Sequence, residues 1–298
     1  MQTMDESLKI GILGGDERQI TMARRLAEKG IECAAWGLGD TADIGNAVKC
    51  RTPHSALNGS RAVVLPMPFS RDGVNLNAPL EEREKLKIQT LYDMLTADTM
   101  IIGGKFDLDT LNFAKQRNIR VFDLNDNEEF LVKNAVPTAE GAIEIAIRES
   151  KITLFGANVL LLGYGRISRV LLPLLKSFFC EISVVARRTE QLAFASVCGV
   201  ETAKFFDGKY VKIAQKADII FNTVPAEVLP KNIIKKLKKS CVIIDLATGG
   251  GTDFSYAEEC GIKAIHALAL PGKVAPVSAG NIMCDCVLSL LKNERGMA

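Results

Sequence analysis

Histidine is nearly missing: the 298 residues hold two, His54 and His266. Eight cysteines are present, but they are scattered and none forms a paired Cys-x-x-Cys set. With so few nitrogen and sulfur ligands at metal-binding spacing, no zinc or other metal site is expected. Cys284 and Cys286 are the closest pair, and as alternate residues on a helix they face different directions. Both are read as reduced thiols, one of them in the core. The formal net charge is only +2, which gives no field that calls for nucleic acid or an anionic membrane. The N-terminus lacks an apolar signal-type stretch, and no uninterrupted apolar run reaches transmembrane length. A cytoplasmic protein is the expectation, with no membrane partner. At 48% hydrophobic and 24% charged residues the chain is globular, and long enough for two domains with real cores.

What is present centres on Asn158-Val-Leu-Leu-Leu-Gly-Tyr-Gly-Arg-Ile-Ser168. Four apolar residues run into Gly163, Gly165 follows, and apolar residues then recur at helical spacing through Lys176. This pattern predicts a buried strand, a tight turn and a helix, the unit that holds a dinucleotide pyrophosphate. Gly163 permits the turn, and Gly165 lets backbone approach phosphate at the positive end of the helix. Ser168 stands where a third Gly or Ala is usual, and is small enough for close packing. The next strand, Glu181 to Ala186, is followed at once by Arg187 and Arg188. An acid at this spacing would bind the ribose hydroxyls of NAD. Two arginines instead suit a 2′-phosphate, so NADP is favoured and NAD stays possible.

Taken in order, residues 1–7 are polar and expected to fray. Strand and helix patterns then alternate: strands at 8–13, 31–36, 62–65, 100–102 and 119–122, and helices at 16–29 and 108–117. Such alternation predicts a doubly wound parallel sheet of flavodoxin-like type. Loops that follow strand ends build active sites, and on that ground Arg18, Ser70, Arg71 and Lys105 are candidate substrate contacts. A long helix beginning at Asn134, with Pro137 in its first turn, connects to the second domain. There, strands at 217–221 and 241–246 end in Asn222-Thr-Val-Pro225 and in a glycine-rich loop from Ala247, which puts Thr223 beside the ribose and nicotinamide. Five lysines between Lys231 and Lys239 read as a solvated helix face. His266, in a short strand, reads first as a hydrogen-bonded structural residue. The last helix, 281–292, carries Ile282, Met283, Cys286, Val287, Leu290 and Leu291 on one face and is expected to cross back. The chain thus divides into residues 1–135 with 276–298, which take the substrate, and residues 136–275, which take the coenzyme, with a cleft between them.

Together the motifs resemble the NAD(P)-binding subunit of the dipicolinate synthase family. The residues that carry the resemblance are Gly14-Gly-Asp16 with Arg18, Asn134-x-x-Pro-Thr-x-Glu-Gly141, Gly163-x-Gly-Arg166, Ala186-Arg187, Asn222-Thr-x-Pro225, Asp245-Leu-Ala247 with Gly250-Gly-Thr-Asp-Phe254, and Leu270-Pro-Gly-x-x-Ala-Pro276 with Ala279-Gly280. They span nearly the whole chain in one order. The chain departs from the family at Ala247-Thr-Gly-Gly, where a serine and a proline are expected, and at Ser168.

The resemblance implies a split two-domain dehydrogenase architecture, shared more widely with alanine dehydrogenase. It implies oxidation of a dihydrodipicolinate-type ring to dipicolinate with NADP as hydride acceptor, in the formation of a spore metabolite. It also implies a partner, the second and flavodoxin-like polypeptide of dipicolinate synthase, and a homo-oligomer is expected. Coenzyme contacts would come from Gly163, Gly165, Arg166, Ile167, Arg187, Arg188, Thr223, Val224, Pro225, Leu246 and Ala247. A dicarboxylate substrate calls for cationic anchors, Arg18, Arg71 and Lys105. The base that takes the ring proton is not evident, and Asp16, His54 and His266 are the candidates. Because no acid–base dyad is visible, two other readings stand beside the enzyme. One is a nucleotide-binding scaffold with the chemistry on a partner, and the other is a stand-alone amino-acid dehydrogenase of the alanine type.

Overall fold

Five strand segments expected from the sequence open the chain, and in the computed structural model they build, with a short edge strand at Val48–Lys49, the first of two six-stranded parallel sheets. The structure describes residues 8–296, so the expected fraying of residues 1–7 lies outside it. The described chain clusters into two units. One comprises the residues up to Asn134 with those from Ala275 onward, and the other Ala135–Val274.

The first unit contains β1 (Lys9–Leu13), α1 (Glu17–Glu28), β2 (Glu32–Trp36), β3 (Val48–Lys49), α2 (Pro53–Leu57), β4 (Ala62–Val64), α3 (Ile88–Met94), β5 (Met100–Gly103), α4 (Leu108–Gln116) and β6 (Arg120–Asp123). The sheet order is β3-β2-β1-β4-β5-β6, with all pairings parallel. Without the two-residue edge strand β3, the remaining order is the flavodoxin type expected from the alternation. Ile10, Ile12, Ala62, Val64 and Ile102 are buried on one face, and Leu13, Val63, Leu65 and Ile101 on the other. A central parallel strand has no wet face, which is why these segments read as continuous apolar runs.

The connecting helix α5 runs over Glu128–Ser150, six residues earlier than predicted from Asn134. The side chain of Asn127 accepts from the backbone N–H of Phe130, and Phe130 is fully buried, so capping and burial start the helix upstream of Pro137. Pro137 is therefore inside the helix rather than in its first turn.

The second unit contains β7 (Asn158–Leu162), α6 (Arg166–Ser177), β8 (Glu181–Ala186), α7 (Thr189–Val197), β9 (Glu201–Lys204), α8 (Gly208–Lys216), β10 (Ile219–Asn222), α9 (Lys231–Ile234), β11 (Val242–Asp245), α10 (Phe254–Glu259), β12 (Lys263–His266) and α11 (Leu270–Val274). Its order, β12-β11-β10-β7-β8-β9, reverses between β7 and β10, which is the switch point of a dinucleotide-binding sheet. The lysine-rich segment is not one helix face: α9 ends at Ile234, Lys238 pairs with Asp218 at 2.6 Å, and Lys239 donates to the Cys260 carbonyl at 2.5 Å.

The final helix α12 (Pro276–Gly296) belongs to the first unit and packs along α1. Cys284 and Cys286 are both fully buried in it, where only one was expected in the core. They do face different ways. Arg25, Lys29 and Cys33 surround Cys284, whereas Glu129 and Lys133 of α5 surround Cys286. A helix covered on two sides buries both directions. Burial pushes each thiol up to about 11.

Candidate functional site

In the second unit the site is built where β7, β8, β10 and β11 end. Gly163 leaves β7 at φ +86, and a Cβ there would sit 2.7 Å from Thr223 Oγ1 and 2.8 Å from Val224 Cγ2. Both the backbone conformation and the neighbour therefore require glycine. Its N–H donates to the carbonyl of Val185 at 2.8 Å, which fixes the end of β8 beside the turn. Arg187 and Arg188 follow two and three residues later, and both are exposed. Gly165 is the N-cap of α6 and faces open space: a Cβ would meet nothing within 4 Å.

The helix ends carry a further signal. Aspartates cap α1, α4, α8 and α10, whereas no side chain caps α6, and its first turn holds no acid. The neighbouring α7, whose N-cap is Arg188, also lacks a side-chain cap, as do the short α3 and α9, and α7 carries Glu190 in its first turn. Partial positive charge at the uncapped, acid-free end of α6, with Arg187 and Arg188 in the turn after the neighbouring strand, suits a phosphate-rich ligand. An open cradle at Gly165 and unfilled cap positions are the features a pyrophosphate needs, so the residues present fit a nicotinamide dinucleotide.

Ser168, fully buried, places its hydroxyl 3.1 Å from that of Thr223, and Thr223 donates to the Leu162 carbonyl at 2.9 Å. Tyr164, between the two glycines, turns into the core with its hydroxyl 3.8 Å from Cys198 Sγ. Burial, with Cys198 beside it, pushes the phenol up to about 12, so it stays neutral. The Arg169 guanidinium lies over Tyr164 and over Phe194, 5.8 and 5.4 Å from the ring centroids.

Two loops complete this edge, and their organisers were not among the predicted site residues. Asn222, buried at the end of β10, closes its turn by donating to Val224 O at 3.1 Å and accepting from Val224 N at 3.0 Å. Asp245, buried at the end of β11, accepts from Ala247 N at 3.0 Å, Gly251 N at 2.8 Å and Thr252 Oγ1 at 2.7 Å. The glycine-rich loop thus folds around one carboxylate, and Val228 N donates to Gly251 O at 3.0 Å to join the loops. Leu246 and Ala247 are buried, Val224 is half-buried, and Pro225 is exposed. His266, the last residue of β12, has Nε2 2.9 Å from the Ala247 carbonyl and its ring 5.3 Å from that of Phe254. A carbonyl can only accept, so Nε2 carries the proton and a neutral ring keeps its lone pair on Nδ1.

In the first unit the predicted substrate contacts fall into different situations. Asp16 caps α1, accepting from Arg18 N at 3.1 Å, while Gln19 Oε1 accepts from Asp16 N at 3.0 Å. Arg18 is buried and already paired: Nε and Nη2 each reach an Asp16 oxygen at 2.8 Å, and Nη2 donates to Met67 O at 2.6 Å. This bidentate ion pair occupies the carboxylate of Asp16 and one edge of Arg18. The Ser70 hydroxyl is spent inside its own loop, donating to Asn75 O at 2.6 Å and accepting from Gly73 N at 3.0 Å.

Arg71 and Lys105 are exposed and come from loops that the backbone ties together, since Phe69 N donates to Gly104 O at 2.9 Å. Lys105 follows directly at φ +59, an uncommon conformation for a long side chain. Asn77 connects the same loop to Gly15, whose N–H donates to Asn77 O at 3.0 Å. The exposed His54, on α2, has no hydrogen bond or ion pair to this network among the described residues.

Among the described residues no three His, Cys, Asp or Glu side chains are grouped to hold a metal ion, and no helix is long and apolar enough to cross a membrane.

Residues 9–125 match the family model of the N-terminal domain of the dipicolinate synthase A-subunit. The chain is 30% identical over 287 residues to the dipicolinate synthase A-subunit of Bacillus subtilis (strain 168), covering 95% of this chain and 96% of that one. The crystal structure of the dipicolinate synthase A-subunit from Bacillus halodurans superposes with a TM-score of 0.88 at 29% identity, covering 96% and 98% of the two chains. An L-alanine dehydrogenase, at 14% identity, shares the fold with a TM-score of 0.67 over 95% of this chain and 89% of its own. Identity of 30% over 95% of this chain, with a superposition that covers 96% of it, establishes that this chain belongs to the dipicolinate synthase A-subunit family.

Proposed function

We propose that this chain is the coenzyme-binding oxidoreductase component of a dipicolinate synthase, oxidising a dihydrodipicolinate-type ring to the aromatic dicarboxylate with NADP⁺. The observation that carries the reading is the uncapped N-terminus of α6 at an open Gly165, with Arg187 and Arg188 beside it. Family membership supports the substrate class. Aromatisation removes one hydride and one proton from the ring. NADP⁺, when bound, supplies the hydride acceptor.

The protein's own part is to bind, to orient and to take the proton. The second unit, 135–274, is the coenzyme unit. Gly163, Gly165, Arg166 and Ile167 hold the pyrophosphate, and Arg187 and Arg188 hold the 2′-phosphate. Thr223, Val224, Pro225, Leu246 and Ala247 bound the ribose and nicotinamide. The first unit, residues to 134 with 275 onward, takes the dicarboxylate through Arg71 and Lys105, with the buried Asp16–Arg18 pair fixing the loop they stand on. His266 is the residue best prepared to accept the proton, because its Nε2 is committed to Ala247 O and its Nδ1 is left as acceptor. Asp16 is tied by two charge-assisted bonds and is less suited to that role.

The two dipicolinate synthase relatives are each named as one lettered component of an enzyme, which supports a second polypeptide as partner. The experiment supplies dihydrodipicolinate and NADP⁺ to the purified chain and follows NADPH absorbance, with and without that partner. NADPH from the chain alone supports this reading. NADPH only in the partner's presence supports the scaffold alternative, and turnover of L-alanine instead of dihydrodipicolinate supports the amino-acid dehydrogenase.

A further inference from the structure

The second unit exposes an apolar face that its fold does not use. Ile147 is 52% exposed on α5, Phe178 40% and Phe179 70% at the end of α6, and Ile152 46% and Phe155 72% in the connection to β7. The rings of Phe155 and Phe179 lie 5.7 Å apart, and Gly156 N donates to Phe179 O at 3.0 Å, so the two segments form one surface. Beside Phe178 a groove of about 580 Å³ opens between α5 and α6, with Ile143, Ile147 and Leu174 in its walls. With ~150–250 Å² for a whole aromatic side chain, these five side chains leave on the order of 500 Å² of apolar surface in water, at the upper end of what monomers expose.

Phe179 gives the second, independent observation. It sits at φ +59, where glycine or asparagine would close the helix without strain. A bulky ring held in that conformation is 70% exposed, and the contact with Phe155 leaves most of it in water.

We infer that this face is the twofold interface of a homodimer, with α5 of one copy crossing antiparallel to α5 of the other. Charge selects a second copy as the occupant. The groove rim carries Glu140 and Glu144 and then Arg148, one helical turn apart along α5. Reversing the helix direction across a twofold axis sets the basic end of each copy against the acidic end of the other, so the surface is complementary to itself. Arg148 already pairs with Glu144 and Glu149 in its own chain, and its guanidinium still has N–H donors for a partner's acid. A symmetric contact that covers the aromatic face and its rim reaches the roughly 800 Å² per partner of a stable dimer.

Sedimentation velocity of the full chain across the micromolar range tests this. The wild type should run at twice the chain mass. Ile147→Glu places a charge on an exposed helix position and should raise the dimer dissociation constant about tenfold or more, the effect of losing an interface anchor. Phe179→Gly separates interface from fold. It relieves the backbone at φ +59, so the melting temperature of dilute protein should hold or rise, while dimerisation weakens. A wild type that stays monomeric at every concentration overturns the proposal, and so does a dimer that neither substitution weakens.

Discussion

The hydroxyls of Ser168 and Thr223 meet at 3.1 Å directly beneath the turn at Gly163. Thr223 is held there by its bond to Leu162 O and in turn occupies the space a Cβ on Gly163 would need. Gly163→Ala must therefore push Thr223 out of that network and adopt φ +86 with a side chain. The expected cost is about 2–4 kcal/mol of stability, combining left-handed backbone strain with a clash that cannot relax freely. Thermal melts read the stability, and calorimetric titration with NADP⁺ should show binding lost or strongly weakened. An alanine variant with unchanged melting temperature would contradict the packing described.

The arginine pair yields a prediction about selectivity rather than stability. Arg187 and Arg188 are exposed, and Arg188 pairs with the exposed Glu190 at 3.9 Å, so truncation leaves the fold intact. Arg187→Ser with Arg188→Ser removes the guanidinium match to a 2′-phosphate. KM for NADP⁺ should rise by about 10- to 100-fold, as expected for losing one or two charge-assisted contacts. KM for NAD⁺ should move little. Equal losses for both coenzymes would remove the 2′-phosphate from the account.

His266 separates a chemical role from a supporting one. Glutamine at 266 can still donate from its amide to Ala247 O but offers no basic nitrogen. If Nδ1 accepts the ring proton, His266→Gln should lower kcat by about 10²–10⁴-fold, with little change in the Kd for NADP⁺ measured by titration. Parallel losses in kcat and in coenzyme affinity would instead assign His266 to holding the loop after β11.

Much of this was legible because parallel strands announce themselves as apolar runs and because the turn at Gly163 has a spacing with a mechanical cause. Asp245 shows what was not. In sequence it is one acid at the end of a strand, and only the fold reveals three donors converging on it from a glycine-rich loop. For Ser70 and Arg18 the fold adds partners that the sequence does not show. Ser70 stands in a loop and Arg18 in the first turn of α1, both after strand ends, which is where substrate contacts are sought, and their polar atoms are engaged by Asn75, Asp16 and Met67. A polar residue's partners are a tertiary property, so sequence position alone could not show which of these groups are already engaged. The start of α5 was hidden for a similar reason. Pro137 suggested a first turn, whereas Asn127 and the buried Phe130 nucleate the helix earlier.

Asp218 makes the acid limb of stability predictable. It joins three elements: Lys238 Nζ lies 2.6 Å from Oδ1, and Asn158 donates to Oδ2 from its backbone at 2.9 Å and its side chain at 3.1 Å. Burial disfavours the charged carboxylate, but the Lys238 bond and then the Asn158 donors outweigh it, and the group ends below its ordinary range. A carboxyl whose folded value is depressed adds stability above its unfolded value and loses that contribution as pH falls through the folded one. Asp218→Asn should therefore cost about 1–2 kcal/mol at neutral pH, in line with charge-assisted bonds at a partly buried site. The gap to the wild type should narrow progressively below about pH 4, the ordinary carboxylate range. Urea unfolding measured from pH 7 down to pH 3 reads both, and a gap that stays constant over that range would show that the carboxylate charge contributes nothing there.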